Sequence, residues 1–368
     1  MNEREARIML IVCAVVALVR AAPAQEPWIE PRAKVLPLDK SGPFALLKDG
    51  RLLTIDDNAT RTSSDDGKTW SEPRAIYDGP KPGIPTSSSV LVRTRDGVLV
   101  LVYMDMSTYK WGWDAAKREP IEDAQLDVWS IRSLDDGKTW VDRQRLLDGY
   151  CGALITMIQT STGELVVPIQ DLLRNPGRHG SYVYVSSDDG KTWSRSNLID
   201  LGGHGHHDGA LEPTVAELSD GRLWMLLRTN WDRFWEAYSE DKGRSWRVIH
   251  PSQIDASSAP GYLLRLASGR LVLVWICLYS EGKTEVARRG GKGQLSDVPA
   301  SWQRDELSLA FSEDDGKTWT KPVVIARRSG GGLSYPYLFE RRAGELWVIT
   351  RFSFPIRLGL REKDFVNK

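Results

Sequence analysis

Apolar residues in this chain gather in short runs, and the runs come in pairs hinged on a glycine. ALLKDGRLLTI from Ala45, LVRTRDGVLVLVY from Leu91, MIQTSTGELVVPI from Met157, VAELSDGRLWMLLR from Val215, LLRLASGRLVLVW from Leu263 and YLFERRAGELWVITR from Tyr337 share this design. Their turn glycines are Gly50, Gly97, Gly163, Gly221, Gly269 and Gly344. Leu-rich and β-branched runs on either side of such a turn predict β-hairpins. No amphipathic helical stretch alternates with them, which argues against a barrel of strands and helices.

A second, sharper motif lies between the hairpins. Ser63–Trp70 and Ser186–Trp193 both read SSDDGKTW; Ser133–Trp140 is SLDDGKTW, Ser312–Trp319 is SEDDGKTW, and Ser239–Trp246 is a looser SEDKGRSW. Within it, Asp accepts hydrogen bonds from local backbone N–H groups and Gly supplies a positive φ, so each copy predicts a rigid turn. The closing Trp offers a large apolar surface that staples the turn to its own sheet. Few acidic ligands and a bulky Trp in each copy argue against a metal site.

Motifs recurring at this period are one structural unit copied. Each of the first five hairpins is followed by one octapeptide, the sixth only by the tail to Lys368. Inner hairpins with outer hairpins between them give six four-stranded sheets. The predicted fold class is therefore all-β, a six-bladed β-propeller with no long open edge. The segment from Trp28 to Pro37 is expected to complete the last blade beside the C-terminal strands.

In each inner hairpin, the residues nine before and seven after the turn glycine should meet at the end away from the turn, the mouth. The first set is Ser41, Ser88, Leu154, Glu212, Pro260 and Tyr335; the second is Asp57, Met104, Gln170, Arg228, Ile276 and Arg351. A carboxylate, a phenol and two guanidiniums thus converge where a small ligand can reach them. Two long links at the mouth, roughly 105–126 and 279–304, would wall the pocket.

Charge adds an exclusion. With 49 basic and 49 acidic residues, no net field favours nucleic acid or an anionic membrane. The chain opens with Arg4 and Arg7, an apolar run from Ile8 to Val19 and Ala22-Pro23-Ala24. This reads as a secretory signal over residues 1–24, too short to span a bilayer, with a retained anchor as the other reading. Residues 25–368 then form one propeller, secreted or periplasmic. Cys151 and Cys277 lie in apolar runs and read as buried thiols, with a single disulfide as the other reading.

HGHHDGALEP, His204 to Pro213, carries three of the five histidines. Its spacing matches no standard metal-ligand set, so no metal and no cofactor are expected. His207 or Asp208 is instead expected to touch substrate or orient the acid. Trp111, Trp113, Trp231 and Trp235 lie in the links, where aromatic faces either stack on sugars or pack the loops.

The octapeptide is similar to the Asp box, Ser-x-Asp-x-Gly-x-Thr-Trp, and five copies in a six-bladed pattern resemble the sialidase superfamily. The resemblance implies a glycan substrate. It also implies site residues: Glu212 with Arg228 sixteen residues later in LEPTVAELSDGRLWMLLR, Arg304 in SWQRDELSLAFS, and Tyr335 in SYPYLFERRAGELW. Tyr335 would be the nucleophile, Glu212 its base, and Arg228 and Arg304 the clamp for the sugar carboxylate. A neutral phenol suits a reacting carbon that already bears a carboxylate, because an anionic nucleophile would be repelled.

Two family features are missing. The first hairpin begins Ser41-Gly42-Pro43 where the family has Arg-Ile-Pro, so Lys40 or Arg351 would have to substitute. The loop for the acid/base Asp is nearly absent, leaving Asp57 as first candidate and Asp208 as second. The leading expectation is a retaining exo-glycosidase acting on terminal sialic acid. The alternatives are a glycosidase or lyase on another acidic sugar, such as a uronic acid, and a non-catalytic glycan-binding propeller.

Overall fold

The structure, a computed structural model, describes residues 26–77, 84, 89–291 and 296–366. The expected leader and Ser88 lie outside these. Six antiparallel sheets, each with four strands or more, follow one another along the chain. Blade 1 is Phe44–Leu46, Leu52–Asp56, Ala59–Ser63 and Arg74–Ala75. Blade 4, which carries much of the site, is Leu211–Glu217, Leu223–Arg228, Arg233–Ser239 and Val248–Asp255. Blade 5 is built on Tyr262–Arg265, Leu271–Trp275, Glu306–Ser312 and Val323–Arg327. Blade 6 is built on Pro336–Arg342, Glu345–Thr350 and Arg357–Arg361. The only α-helix among the described residues is the four-residue Lys363–Val366, and no helix is long and apolar enough to cross a membrane.

All five octapeptides fold alike. In the first, Gly67 N–H donates to Ser63 Oγ at 2.9 Å, and Asp65 accepts from Thr69 N–H at 2.9 Å and from its hydroxyl at 2.7 Å. The expected positive φ falls on Gly67 and also on the preceding Asp66. In the three later copies the Trp indole donates to the carbonyl of its own glycine, as from Trp246 to Gly243 at 3.1 Å. The turn also reaches sideways. A Cβ on Gly137, in blade 2, would stand 2.7 Å from a Leu53 methyl in blade 1. The tips at Gly137, Gly190, Gly243 and Gly316 are thus wedges against the preceding blade.

The tips lie at the turn-glycine end of the blades, since Leu52 pairs with Ser63 and Leu223 with Ser239. Arg228 occupies the other end of its strand. The long links carry small hairpins of their own, Trp113–Asp114 with Glu119–Pro120 and Arg288–Gly290 with Pro299–Ser301. Cys151 and Cys277 are buried free thiols.

One expectation needs correction. Lys34–Val35 does pair with Arg357–Arg361 and completes blade 6. Trp28–Ile29, however, pairs with Ala326 and Arg327 and adds a fifth strand to blade 5. The N-terminal segment is divided between two blades because it turns at Pro31-Arg32, and Glu30 N–H is still bonded to Ile325 of blade 5, at 3.1 Å.

Candidate active site

The entry to blade 4 builds the centre of the site. A bulge between Leu211 and Thr214 sets Glu212 beside Arg228, and the carboxylate Oε2 accepts from Arg228 Nη1 at 2.7 Å. Both side chains are buried, 5% and 2% exposed, so each needs the other to offset its lost hydration. Tyr335, at the entry to blade 6, donates its hydroxyl to the other oxygen, Oε1, at 2.5 Å. Glu212 and Tyr335 have φ of 42° and 55°, a strained region for residues with a Cβ, and one that clusters at functional sites.

A second layer holds these groups in place. Glu212 N–H donates to Gln170 Oε1 at 2.8 Å, from blade 3. Arg228 Nε donates to Ser258 Oγ at 3.1 Å, and that hydroxyl donates to Asn230 Oδ1 at 2.6 Å. Arg304 reaches in from blade 5 and donates to the Ser258 carbonyl at 2.9 Å, its guanidinium 5.7 Å from the Tyr335 ring centre. Ser258 and Asn230 escaped the sequence reading, although Asn230 lies two residues beyond Arg228.

Electrostatics fix the resting protonation. Burial first, then the Glu212 charge, push the Tyr335 phenol well above its ordinary value, although Arg228 and Arg304 pull the other way. The hydroxyl therefore keeps its proton. Burial, followed by the like charge of Arg228, lowers Arg304. Arg228 Nη2 and Arg304 Nη1 are buried with no hydrogen-bond acceptor among the described residues. Two forked cations with unmet donors around one phenol suit a planar carboxylate.

The histidine-rich loop is pinned against blade 3. His179 N–H donates to the Asp208 carbonyl at 2.8 Å, and Ala210 N–H to the His179 carbonyl at 2.9 Å. Asp208 is buried, and its carboxylate accepts from His204 N–H, Asp297 N–H and Asn230 Nδ2. Burial raises its pKa. Its oxygens thus tie the loop to two neighbours. The His207 ring stands 4.9 Å from that of Trp302. Burial, then Arg228, depress its pKa to about 2, so it is neutral. Among the described residues no three His, Cys, Asp or Glu side chains gather as a metal-ligand set.

The remaining candidates stand outside this side-chain cluster, on or beside blades 1 and 6. Asp57 is exposed on the tight turn between the second and third strands of blade 1. Arg351 N–H bonds the Tyr335 carbonyl at 3.0 Å, as the register predicts. Its guanidinium donates to the Ser41 carbonyl at 3.0 Å, at the entry to blade 1, and lies 3.8 Å from the Tyr337 ring centre. It stands beside Ser41, where the family's first arginine is missing. Lys40 is held by Asp56 at 3.0 Å.

The BNR repeat-like domain family matches residues 56–348. The chain belongs to this family. It is a BNR-repeat propeller of the sialidase superfamily. A sialidase from Clostridium perfringens is 28% identical over 240 residues, covering 56% of this chain and 59% of that protein. The chain thus spans little more than half the length of that relative. Among solved structures, the Hadza microbial sialidase Hz136 has a TM-score of 0.58 at 16% identity, covering 89% of this chain and 66% of its own. An α-L-arabinanase from Penicillium chrysogenum complexed with arabinobiose has a TM-score of 0.54 at 15% identity, covering 94% and 100%. At these identities the structural likeness is one of fold. The BNR-repeat propeller here is a sialidase-like glycosidase fold.

Proposed function

We propose that this BNR-repeat propeller is a retaining exo-glycosidase that removes a terminal acidic sugar, with sialic acid as the leading substrate. The observation that carries the reading is Tyr335 donating to Glu212 at 2.5 Å beneath two guanidiniums with unmet donors. The sugar carboxylate takes those donors. Glu212 accepts the phenol proton as Tyr335 Oη bonds to the anomeric carbon and the glycosidic bond breaks. In the second half the group that protonated the leaving oxygen, now a carboxylate, takes a proton from water as the water oxygen bonds to the anomeric carbon; the glycosyl–tyrosine aryl-glycoside bond breaks and Glu212 returns its proton to Tyr335 Oη.

The departing oxygen needs a proton. We place Asp57 in that role, because Asp208 already accepts three hydrogen bonds. Asp57→Asn would slow release of poor leaving groups and spare activated aryl glycosides. The defining experiment is a screen of the purified protein on sialosides, uronides and neutral glycosides. Cleavage of neutral glycosides alone would overturn the reading, and glycan binding without cleavage would favour a lectin.

One observation supports a second reading, elimination on a uronic acid. His207 is an imidazole close to Arg228 and Arg304; burial and those cations make it a weak base at rest, and a substrate carboxylate that neutralises the arginines would raise its affinity for a proton. An unsaturated, ultraviolet-absorbing product would establish it over hydrolysis. We also propose export of the protein, from the N-terminal pattern; sequencing the mature N-terminus and finding Gln25 first would test it.

A further inference from the structure

Beside Arg304 a cleft of about 720 Å³ opens between the Arg288–Gly290 hairpin and the link from blade 5 to blade 6. Arg288, Arg289, Arg304 and Arg328 line it, with Asp305 as the one carboxylate. Arg288 is neutralised by Asp232. Arg289, Arg304 and Arg328 have no ion pair among the described residues, whereas Arg118, Arg228 and Arg288 each have one.

Arg328 is held in place without a counter-charge. It donates to the Gly331 carbonyl at 2.6 Å and lies 4.2 Å from the Phe354 ring centre. Its Nε is buried with no acceptor. Gly330 to Gly332 also line it, and a Cβ on Gly330 would meet nothing within 4 Å. The inner wall is Phe352, whose ring is 5.2 Å from that of Tyr335, so the cleft borders the reacting centre. With Arg304 answered by the sugar carboxylate, Arg289 and Arg328 remain as unneutralised like charges in one concavity, which an anion between them would join.

We infer that this cleft is a second anion site, and that the substrate carries a negative group in addition to the one held by Arg228 and Arg304. Its chemical class is an oxyanion, sulfate or carboxylate, within one sugar of the bond that breaks. The placement beside the reacting centre rests on the reading of Tyr335 and Glu212 above; the anion site itself rests on Arg289 and Arg328.

The test compares paired aryl glycosides and disaccharides, alike except for a sulfate or carboxylate on the leaving group or on the cleaved sugar. The expected result is a preference in kcat/KM of about tenfold or more for one charged series, falling as salt rises. Which series is preferred locates the anion. Arg328→Gln and, separately, the exposed Arg289→Gln should each reduce the charged-to-neutral ratio severalfold. Calorimetric titration of a sulfated disaccharide into the wild-type protein and both variants gives a readout independent of turnover. Cleavage with no charge preference would overturn the second site and leave the glycosidase reading standing. No cleavage, but binding that weakens in both variants, would keep the site and remove the glycosidase reading. Binding unchanged by either substitution would overturn the site.

Discussion

Tyr335 donates its hydroxyl to Glu212 at 2.5 Å across 123 residues of sequence, and it uses the carboxylate oxygen that Arg228 leaves free. One carboxylate thus has two separate tasks. Oε2 keeps a buried guanidinium neutralised, and Oε1 is aimed at a phenol.

Tyr335→Phe removes the hydroxyl and keeps the ring against Phe352. In steady-state kinetics kcat should fall by roughly a thousandfold or more, with KM and the melting temperature little changed. Near wild-type turnover would exclude Tyr335 as nucleophile.

Arg228 and Glu212 should behave differently from Tyr335, because breaking a buried pair strands a charge. Arg228→Met should lower unfolding free energy by about 3–5 kcal/mol in urea titrations. Arg228→Met with Glu212→Gln should recover part of that loss and none of the activity. Equal stability of the single and double variants would show that the pair is not coupled.

Acid should weaken the fold through His179. Its Nε2 lies 3.0 Å from the His206 carbonyl and its Nδ1 3.4 Å from Gln170 Nε2, an arrangement for the neutral ring. Burial lowers its pKa from 6.5 to about 4. The folded state therefore binds fewer protons than the unfolded one between those values. Stability from this group is fully present above pH 6.5 and is lost as pH falls to 4, by about 3 kcal/mol. Half-buried Asp171, raised to about 6 by desolvation, acts oppositely, losing stability as pH rises from about 4 to 6. His179→Gln should flatten the acid limb in urea midpoints measured against pH; an unchanged limb would assign the loss elsewhere.

Gly209 has φ of 98°, and a Cβ there would stand 1.9 Å from the His179 carbonyl oxygen. Gly209→Ala must push the loop that carries His207 and Asp208 off blade 3, three residues before Glu212. Activity should fall at least tenfold while far-ultraviolet circular dichroism still reports β-structure. Full activity would show that the loop does not position the base.

Much of this was legible because strand pairing is a counting rule. A turn glycine fixes which residues face each other at the far end, so Glu212 met Arg228 and Tyr335 met Arg351 from spacing alone. Side-chain direction is not a counting rule. Nothing in the register told that Arg351 would cross to Ser41, or that the Asp208 oxygens would be taken up by backbone N–H groups of other links. Ser258, Asn230 and Arg328 stand on irregular connections, where no period exists to read. The Trp28–Ile29 strand was misplaced for a similar reason: a two-residue pairing has no alternation.

The N-terminal strap has a consequence for biogenesis. Trp28–Ile29 and Lys34–Val35 are made early, yet their partners are the Val323–Arg327 and Arg357–Arg361 strands, synthesised near the end. Next to them Leu38 packs within reach of Gly67 in the first tip. The strap must therefore wait, unpaired, for roughly 300 further residues to be made before the circle can latch. A nascent chain interrupted before Arg357 would hold blades without a clasp, and its unlatched edges would be the surfaces that chaperones meet.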